Sequence, residues 1–377
     1  MIRLVSYLVL GVAGAIGQTS TPAAVSRSPS QQTSKPSPLS ALEIRELQAK
    51  AEGGDAGAQA TLGKAYLDGN GVRQSDALAL KWSRKAAEQG DAAAENNLGL
   101  MYRMGEGVER DKEEAARWYH KSAKQGNARA MFNLGASYYN GDGVEVDDVA
   151  SFAWFLLAQE AGDPAADEAS RRAVSEKVVS PSEAYVKIAQ MYEAGDQLPK
   201  SPAEALKWYR KAADADDPKA SVTVASLLLG DGRSVTAEES TEARQRCEDA
   251  AKMKFAQGAF CLATIYKRGI GIAKDEVEGT KWLGRAAELG HSRAILELGE
   301  AYWKGEGVKA DPVTAYSWIW LAYNSKVPGA ESDEQLLGKE LSAKQVEQAK
   351  QKASAWAKTH WVGGLRQRPP DNAPPAK

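Results

Sequence analysis

The sequence contains few of the residues from which catalytic and metal sites are usually built. Its 377 residues include only 3 His and 2 Cys. Two thiols are too few for a four-thiolate zinc site or a disulfide-dense scaffold, and three scattered imidazoles add few ligands. The sequence therefore predicts no metal site, no cofactor and no catalytic residues.

An excess of one charge sign is also missing. The 48 Lys and Arg residues nearly balance the 50 Asp and Glu residues, which gives a formal net charge of −2. A protein that neutralises many phosphates needs a strongly basic surface. Nucleic acid is therefore not an expected partner.

Long hydrophobic runs are missing except at the N-terminus. The cationic start Met1-Ile2-Arg3 precedes an apolar stretch from Leu4 to Ile16. This order is typical of a secretory signal peptide, and the stretch is shorter than the roughly 20 residues that span a bilayer. We expect a signal peptide over residues 1–17, with an uncleaved membrane anchor as the alternative, and a disordered Ser/Thr/Pro/Gln-rich linker over residues 18–40. The mature protein is then periplasmic or secreted and has no membrane span.

What the sequence does contain is an internal repeat. A large apolar residue followed by a small one occurs seven times, usually 36 residues apart. A fixed period of this size is typical of solenoid proteins. In six copies a tryptophan follows 19 residues after the small residue; in the fifth copy two extra residues precede the second helix, and Arg246 takes the place of the tryptophan. The pairs are Leu62-Gly63, Leu98-Gly99, Leu134-Gly135, Ile188-Ala189, Val224-Ala225, Leu262-Ala263 and Leu298-Gly299.

Each copy is predicted to form two helices. A Gly-x-Gly pair such as Gly105 and Gly107 ends the first helix, because glycine adopts the positive φ that the turn needs. An N-cap residue then begins the second helix, since its side-chain oxygen accepts from free backbone N–H groups. The predicted N-caps are Ser75, Asp111, Asp147, Ser201, Asp275 and Asp311.

These motifs resemble the Sel1-like repeat, a relative of the tetratricopeptide repeat. The second copy carries the likeness as Leu98-Gly99-x-x-Tyr102-x-x-Gly105-x-Gly107-Val108-x-x-Asp111, followed by Ala115-x-x-Trp118 and Ser122-Ala123. The resemblance implies an all-α fold, a right-handed α-solenoid of about seven helix-turn-helix repeats with capping helices. Copy four replaces the glycine turn with Asp196-Gln197-Leu198, and copy five has Leu228 in place of the aromatic residue. We expect altered stacking there.

The repeats divide the chain into segments. We expect an N-terminal capping helix over residues 41–54, repeats one to three over 55–162, and an inserted helix over 163–183. Repeats four to seven then cover 184–325, C-terminal capping helices 326–362, and a disordered tail 363–377. Caps are expected because the last apolar face of a solenoid has to be covered.

The resemblance implies an exported, non-enzymatic scaffold that binds a protein or peptide in the concave groove of the solenoid. We expect residues one and four positions past the small residue to face this groove. Asn97 and Asn133 join them, and either bind a peptide backbone or satisfy neighbouring turns. The candidate groove residues are Lys64, Asn97, Arg103, Asn133, Tyr139, Gln190, Glu193, Lys267, Glu300 and Trp303.

A hydrolase acting on cell-wall or β-lactam substrates is the alternative that the resemblance leaves open. The serine hydrolase pattern Ser-x-x-Lys does not occur in the sequence, which removes its main support. His120, His291 and His360 are far apart along the chain. In a solenoid they cannot converge, so we expect solvated surface histidines.

The two cysteines are predicted to pair. Cys247 and Cys261 lie on consecutive predicted helices, each 7 residues from the turn near Lys254. Antiparallel helices place them opposite each other, and an oxidising compartment favours a disulfide worth roughly 3 kcal/mol for such a loop. Two buried thiols are the alternative.

Overall fold

The computed structural model describes residues 38–175, 179–230 and 235–360. The predicted signal peptide, most of the linker and the tail beyond residue 360 lie outside the described residues. One unit, which begins at Ser40, contains all the described helices. Within the described residues there are eighteen α-helices and no strand. They are α1 (Ala41–Glu52), α2 (Ala56–Asp68), α3 (Asp76–Glu88), α4 (Ala92–Met104), α5 (Lys112–Lys124), α6 (Ala128–Asn140), α7 (Asp148–Glu160), α8 (Pro164–Ser175), α9 (Pro181–Ala194), α10 (Pro202–Asp214), α11 (Pro218–Leu229), α12 (Ala237–Lys252), α13 (Ala256–Arg268), α14 (Glu276–Glu288), α15 (Ser292–Lys304), α16 (Pro312–Asn324), α17 (Ala330–Glu340) and α18 (Ala343–His360).

The helices stack as seven pairs, which confirms the predicted α-solenoid. The pairs are α2/α3, α4/α5, α6/α7, α9/α10, α11/α12, α13/α14 and α15/α16, and each packs against the next. Helix α1 packs on α2, and α17 and α18 pack on α16. Helix α8 packs on α7, which also contacts α9, so the insertion lies between the third and fourth repeats.

The predicted inserted segment, residues 163–183, contains α8 and the start of α9 within the described residues. Helix α8 runs from Pro164 to Ser175, and α9 already begins at Pro181. Ser180 is the N-cap of α9 and Pro181 its first helical residue. Proline suits this position because its missing N–H has no partner in the first turn.

The predicted N-caps of the second helices are confirmed. Asp111 Oδ1 accepts from the Glu114 backbone N–H at 2.8 Å, and Asp147 Oδ1 accepts from that of Ala150 at 2.8 Å. The other four predicted N-caps accept in the same way. Each bond satisfies a donor that a helix start otherwise leaves free.

The small residue of the repeat allows the two helices of a pair to approach closely. A Cβ atom added at Gly99 on α4 would lie 2.5 Å from Tyr119 Cε1 on α5, and one at Gly135 would lie 2.8 Å from Phe155 Cδ1 on α7. Tyr119 is fully buried at this contact. Glycine fits these two positions because a Cβ atom there would overlap the partner side chain unless the neighbouring helix shifted.

The fifth repeat packs differently where it lacks the tryptophan. Trp154 and Trp208 are buried in the third and fourth repeats. Arg246 on α12 instead forms an ion pair with Asp214 at 2.6 Å, and a longer one with Glu242 at 3.8 Å. A polar contact at the surface therefore replaces an apolar one in the core.

In the part of the chain that the structure describes, no helix combines the length and the apolar character that a membrane span requires.

Candidate protein-binding surface

The first helices of the pairs lie on the inner side of the solenoid. At two junctions the first helices of adjacent repeats touch each other: α2 contacts α4, and α11 contacts α13. In the described residues, the second helices of adjacent repeats do not contact each other as extensively as these first helices do. Elements on the inner side of a curved stack lie closer together than those on the outer side. The first helices therefore line the concave face.

One face of each first helix points away from the rest of the repeat. On α4 it carries Ala93, Asn97, Leu100 and Met104, spaced as residues on one side of a helix are. We call the corresponding residues of all seven first helices the inner stripe. It comprises Gly57, Thr61, Lys64 and Asp68; Ala93, Asn97, Leu100 and Met104; Arg129, Asn133, Ala136 and Asn140; Glu183, Lys187, Gln190 and Ala194; Lys219, Thr223, Ser226 and Gly230; Gln257, Cys261, Thr264 and Arg268; and Arg293, Glu297, Glu300 and Lys304.

Half of the predicted groove residues lie on the inner stripe. Gln190 is exposed, and Lys64 is exposed and forms an ion pair with Asp68 at 2.7 Å. Glu300 is half-buried and lies 3.5 Å from Lys304. Asn97 and Asn133 also belong to the stripe but are buried.

The residues four positions past the small residue lie at the edge of the stripe. They are rotated by only about 40° from the small residue, which faces the second helix of its own pair. Tyr209 on α10 donates to Glu193 at 3.0 Å, and Trp303 donates to Glu340 on α17 at 3.3 Å. These candidates are therefore engaged within the fold. The edge set comprises Arg103, Tyr139, Glu193, Lys267 and Trp303.

Two pairs illustrate the electrostatics of this edge. Burial raises the pKa of Tyr209, and its hydrogen bond to the Glu193 carboxylate raises it further. The phenol therefore stays a neutral donor at physiological pH. The Lys267 ammonium lies 3.8 Å from the Glu306 carboxylate in the turn of the next repeat. These two edge side chains thus connect a first helix to neighbouring elements, although Glu193 itself is exposed.

Sequence reasoning missed a cavity on the inner side. It has a volume of about 640 Å³, where α9 faces the turn between α10 and α11. Inner-stripe residues Glu183, Lys187 and Gln190 line one wall, and Asp216 and Lys219 belong to the other. The signal that could have indicated it is the extra segment before α9, which interrupts the regular spacing of the repeats.

The histidines are placed differently from what we expected. His291 is not solvated: it is 6% exposed, and its ring stacks on Phe260 with centroids 4.1 Å apart. Its Nδ1 accepts from the Ala294 backbone N–H at 3.1 Å, as an N-cap does. His120 is half-buried against Trp154, and this burial lowers its pKa. Only His360 is exposed. The prediction of surface histidines was therefore wrong for His291, which serves as a helix cap.

The structure brings the two cysteines together. Cys247 on α12 and Cys261 on α13 form a disulfide, with Cα atoms 5.9 Å apart. Cys247 is fully buried, whereas Cys261 is half-buried and belongs to the inner stripe. The bridge joins the fifth repeat, which lacks the tryptophan, to the sixth.

Stacked helical pairs, each contacting its neighbours, define an α-solenoid with an extended inner surface. The Sel1 repeat family model matches residues 56–91, 92–127, 128–163, 182–217, 256–291 and 292–324. These matches cover more than half of the chain, and the chain belongs to the Sel1 repeat family. Sel1 repeat proteins are generally protein-interaction scaffolds. The fifth repeat is not among the matches.

Several known proteins are similar to the chain. An uncharacterised protein of Neisseria meningitidis serogroup B is 30% identical over 115 residues, which are 30% of this chain and 23% of that protein. The chain therefore spans about a quarter of that relative's length. A protective antigen of uropathogenic Escherichia coli displaying an SLR fold is 29% identical, with a TM-score of 0.43 over 84% of this chain and 72% of that one. A Sel1 repeat protein from Oxalobacter formigenes is 27% identical, with a TM-score of 0.38 over 78% of this chain and 80% of that one.

Proposed function

We propose that this chain is an exported, non-enzymatic scaffold that binds a protein or peptide partner on its inner stripe. The observation that carries the proposal is the stripe itself, which recurs on all seven first helices. Much of it is exposed, as at Lys64, Gln190 and Ser226. A surface of this length fits an extended or folded polypeptide better than a small molecule.

The composition of the stripe supports recognition of protein rather than of phosphate. It mixes apolar side chains such as Leu100 and Met104 with neutral amides and both signs of charge. Protein interfaces combine such groups, whereas nucleic-acid surfaces are dominated by Lys and Arg. The residues on which a partner depends are expected on the stripe and not at its edge.

Export is proposed from two features. The N-terminal residues have the order of a secretory signal peptide. The Cys247–Cys261 pair is arranged as a disulfide, and such bonds persist in oxidising compartments. The proposed location is therefore the periplasm or the extracellular space.

The test compares one substitution on the stripe with a matched one on the outer side. Ser226→Arg places a bulky cation on the exposed inner face of α11, and Thr241→Arg places the same group on the exposed outer face of α12. The partner is captured by crosslinking in the native compartment and identified. Ser226→Arg should abolish capture while Thr241→Arg retains it. Loss with Thr241→Arg alone would locate the binding surface elsewhere.

A further inference from the structure

At a regular junction between repeats, the end of a first helix meets the start of the preceding second helix. Gly143, in the turn after α6, lies against the Lys112 backbone carbonyl at the start of α5. Gly307, in the turn after α15, lies in the same way against the Glu276 backbone carbonyl at the start of α14. The first helices of these repeats therefore run antiparallel to the second helix before them.

The junction before α9 has the opposite direction. The turn after α9 lies at the end of α5, where Lys124 Nζ donates to the Asp196 backbone carbonyl at 2.9 Å. The start of α9 lies beside the start of α7, because Val149 and Glu183 line the same cavity. Helix α9 therefore runs parallel to α7. The first helices that follow α9 consequently run opposite to those of the first three repeats.

Helix α8 accounts for the reversal, because it occupies the position of a fourth first helix. Asp163 precedes α8 as Asn127 precedes α6, and it accepts from the Ala165 backbone N–H at 2.9 Å. Where α6 has the large apolar Leu134, α8 has Ser170. Within the described residues, α9 packs on α7 and makes no extensive contact with α8. Because α6 and α8 both pack on α7, α9 lies on another side of α7 than these two helices.

The inner stripe is therefore divided into two surfaces. The first surface comprises the stripe residues of α2, α4 and α6, and the second comprises those of α9, α11, α13 and α15. The lining of the cavity of about 640 Å³ joins α9 to α11, and α11 contacts α13. Helix α7 separates this series from α6 and α8. A polypeptide that follows the first surface cannot continue onto the second in the same direction, so each surface needs a partner segment of its own.

The charges without a counter-ion on the second surface are positive. Its stripe carboxylates are engaged within the fold, in the pairs Ser180–Glu183, Arg293–Glu297 and Lys304–Glu300. Among the described residues, the exposed Lys219 and Arg268 form no ion pair, and Lys187 has only a long one of 3.9 Å. Of the other cavity carboxylates, Asp217 caps α11 and Asp216 is exposed. The two lysines at the cavity outnumber this one free carboxylate.

We propose that the second surface is a separate binding site for an acidic polypeptide segment. Lys187 and Lys219 hold carboxylates of this segment at the cavity, and Arg268 holds one at the next first helix. Complementary charge of this kind selects a partner and speeds its association. This inference rests on the proposed function and names the chemistry of one partner. It leaves the first surface to another segment, so that the chain can join two partners.

The experiment titrates the folded protein into a fluorescein-labelled peptide of alternating glycine and glutamate at low salt and follows fluorescence anisotropy. A peptide of alternating glycine and lysine is the control of opposite charge. Lys219→Glu reverses a cation of the second surface, whereas Lys64→Glu and Arg285→Glu reverse exposed cations on the first surface and on α14. We expect binding of the acidic peptide to be about three- to tenfold weaker for Lys219→Glu and unchanged for both controls.

Further variants and a crosslink locate the binding site. Arg268→Gln should also weaken binding of the acidic peptide, and Asp216→Asn should strengthen it, because a repelling carboxylate is removed. All these variants change exposed side chains, so the circular dichroism spectrum and the melting temperature should stay unchanged. An acidic peptide with a central benzophenone should crosslink to α9, α11 or α13 and not to α2, α4 or α6.

Four outcomes would each overturn the inference. They are equal binding of the acidic and basic peptides, weakening by Lys64→Glu or Arg285→Glu equal to that by Lys219→Glu, crosslinks confined to the first surface, and no binding of the acidic peptide at millimolar protein. Loss of partner capture with Ser226→Arg would in each case still support the broader function.

Discussion

Gly143→Ala tests how closely adjacent repeats pack. Gly143 lies in the turn after α6 with φ of 74°, and a Cβ atom there would overlap the backbone carbonyl of Lys112 at the start of α5. A left-handed conformation costs a non-glycine residue about 1–2 kcal/mol. Displacing a neighbouring backbone costs about 1–3 kcal/mol more. We therefore expect Gly143→Ala to lower the free energy of unfolding by roughly 2–5 kcal/mol.

Two further glycines separate these contributions. Gly126 has φ of 90° with nothing within 4 Å of an added Cβ atom, so Gly126→Ala carries only the conformational cost of about 1–2 kcal/mol. Gly284 lies inside α14, has no positive φ and has nothing within 4 Å of an added Cβ atom. Gly284→Ala should stabilise the protein by up to about 1 kcal/mol.

The three alanine variants are compared by urea denaturation, followed by circular dichroism at 222 nm. The expected order of stability is Gly284→Ala, wild type, Gly126→Ala and finally Gly143→Ala. If Gly143→Ala proves no less stable than Gly126→Ala, the close approach of the third repeat to the second is wrong. Hydrogen exchange of the α5 and α6 amides adds a local readout, because a solenoid unfolds in parts as well as globally.

Three other changes have defined outcomes. Replacing Cys247 and Cys261 together by serine should lower the free energy of unfolding by about 3 kcal/mol relative to the oxidised protein. In urea denaturation, a reductant should lower the free energy of unfolding of the wild type to the same level and leave that of the variant unchanged. Burial lowers the pKa of His120 in the folded protein, so the contribution of His120 to the free energy of unfolding is present above pH ~6.5 and is lost as pH falls through the lowered pKa. His120→Gln should flatten the pH dependence of the free energy of unfolding in this range. An unchanged pH dependence would contradict the assignment. Trp154 is fully buried, so Trp154→Ala should cost about 3–5 kcal/mol, and a cost below about 1 kcal/mol in thermal unfolding would show that the core does not depend on it.

The fold could be predicted from the sequence because every repeat carries the same packing information. Three positions illustrate this: Gly99 lies against the partner helix, Asp111 caps the second helix, and Trp154 is buried, each as its place in the repeat predicts. A pattern repeated seven times averages out local exceptions. The fifth repeat departs in sequence, and Arg246 shows that its contacts differ as well.

The binding surface stays a prediction, and its direction is hard to derive from the sequence because a helix rotates by about 100° per residue. Arg103, at the edge of the stripe, and Met104, on the stripe, are consecutive residues. Glu193 was assigned to the groove, yet it accepts from Tyr209 of its own pair. The apolar pattern identifies the buried face sharply. The direction of the open face depends on how neighbouring repeats pack, which one repeat alone does not encode.

The burial of His291 follows from its place in the repeat. It occupies the position at which Asp91 and Asn127 cap the first helices of earlier repeats. An alignment of the copies over this position could have predicted the N-cap. Its stacking on Phe260, by contrast, involves the preceding repeat and required the structure.

Site-specific photocrosslinking tests the central claim most directly. A benzophenone amino acid replaces Gln190 on the inner stripe in one variant and Gln245 on the outer face of α12 in another; both positions are exposed. Each variant is irradiated in its native compartment, and crosslinked partners are identified by mass spectrometry. The account predicts a defined partner crosslinked from position 190 and not from position 245. A partner crosslinked from position 245 alone would contradict it.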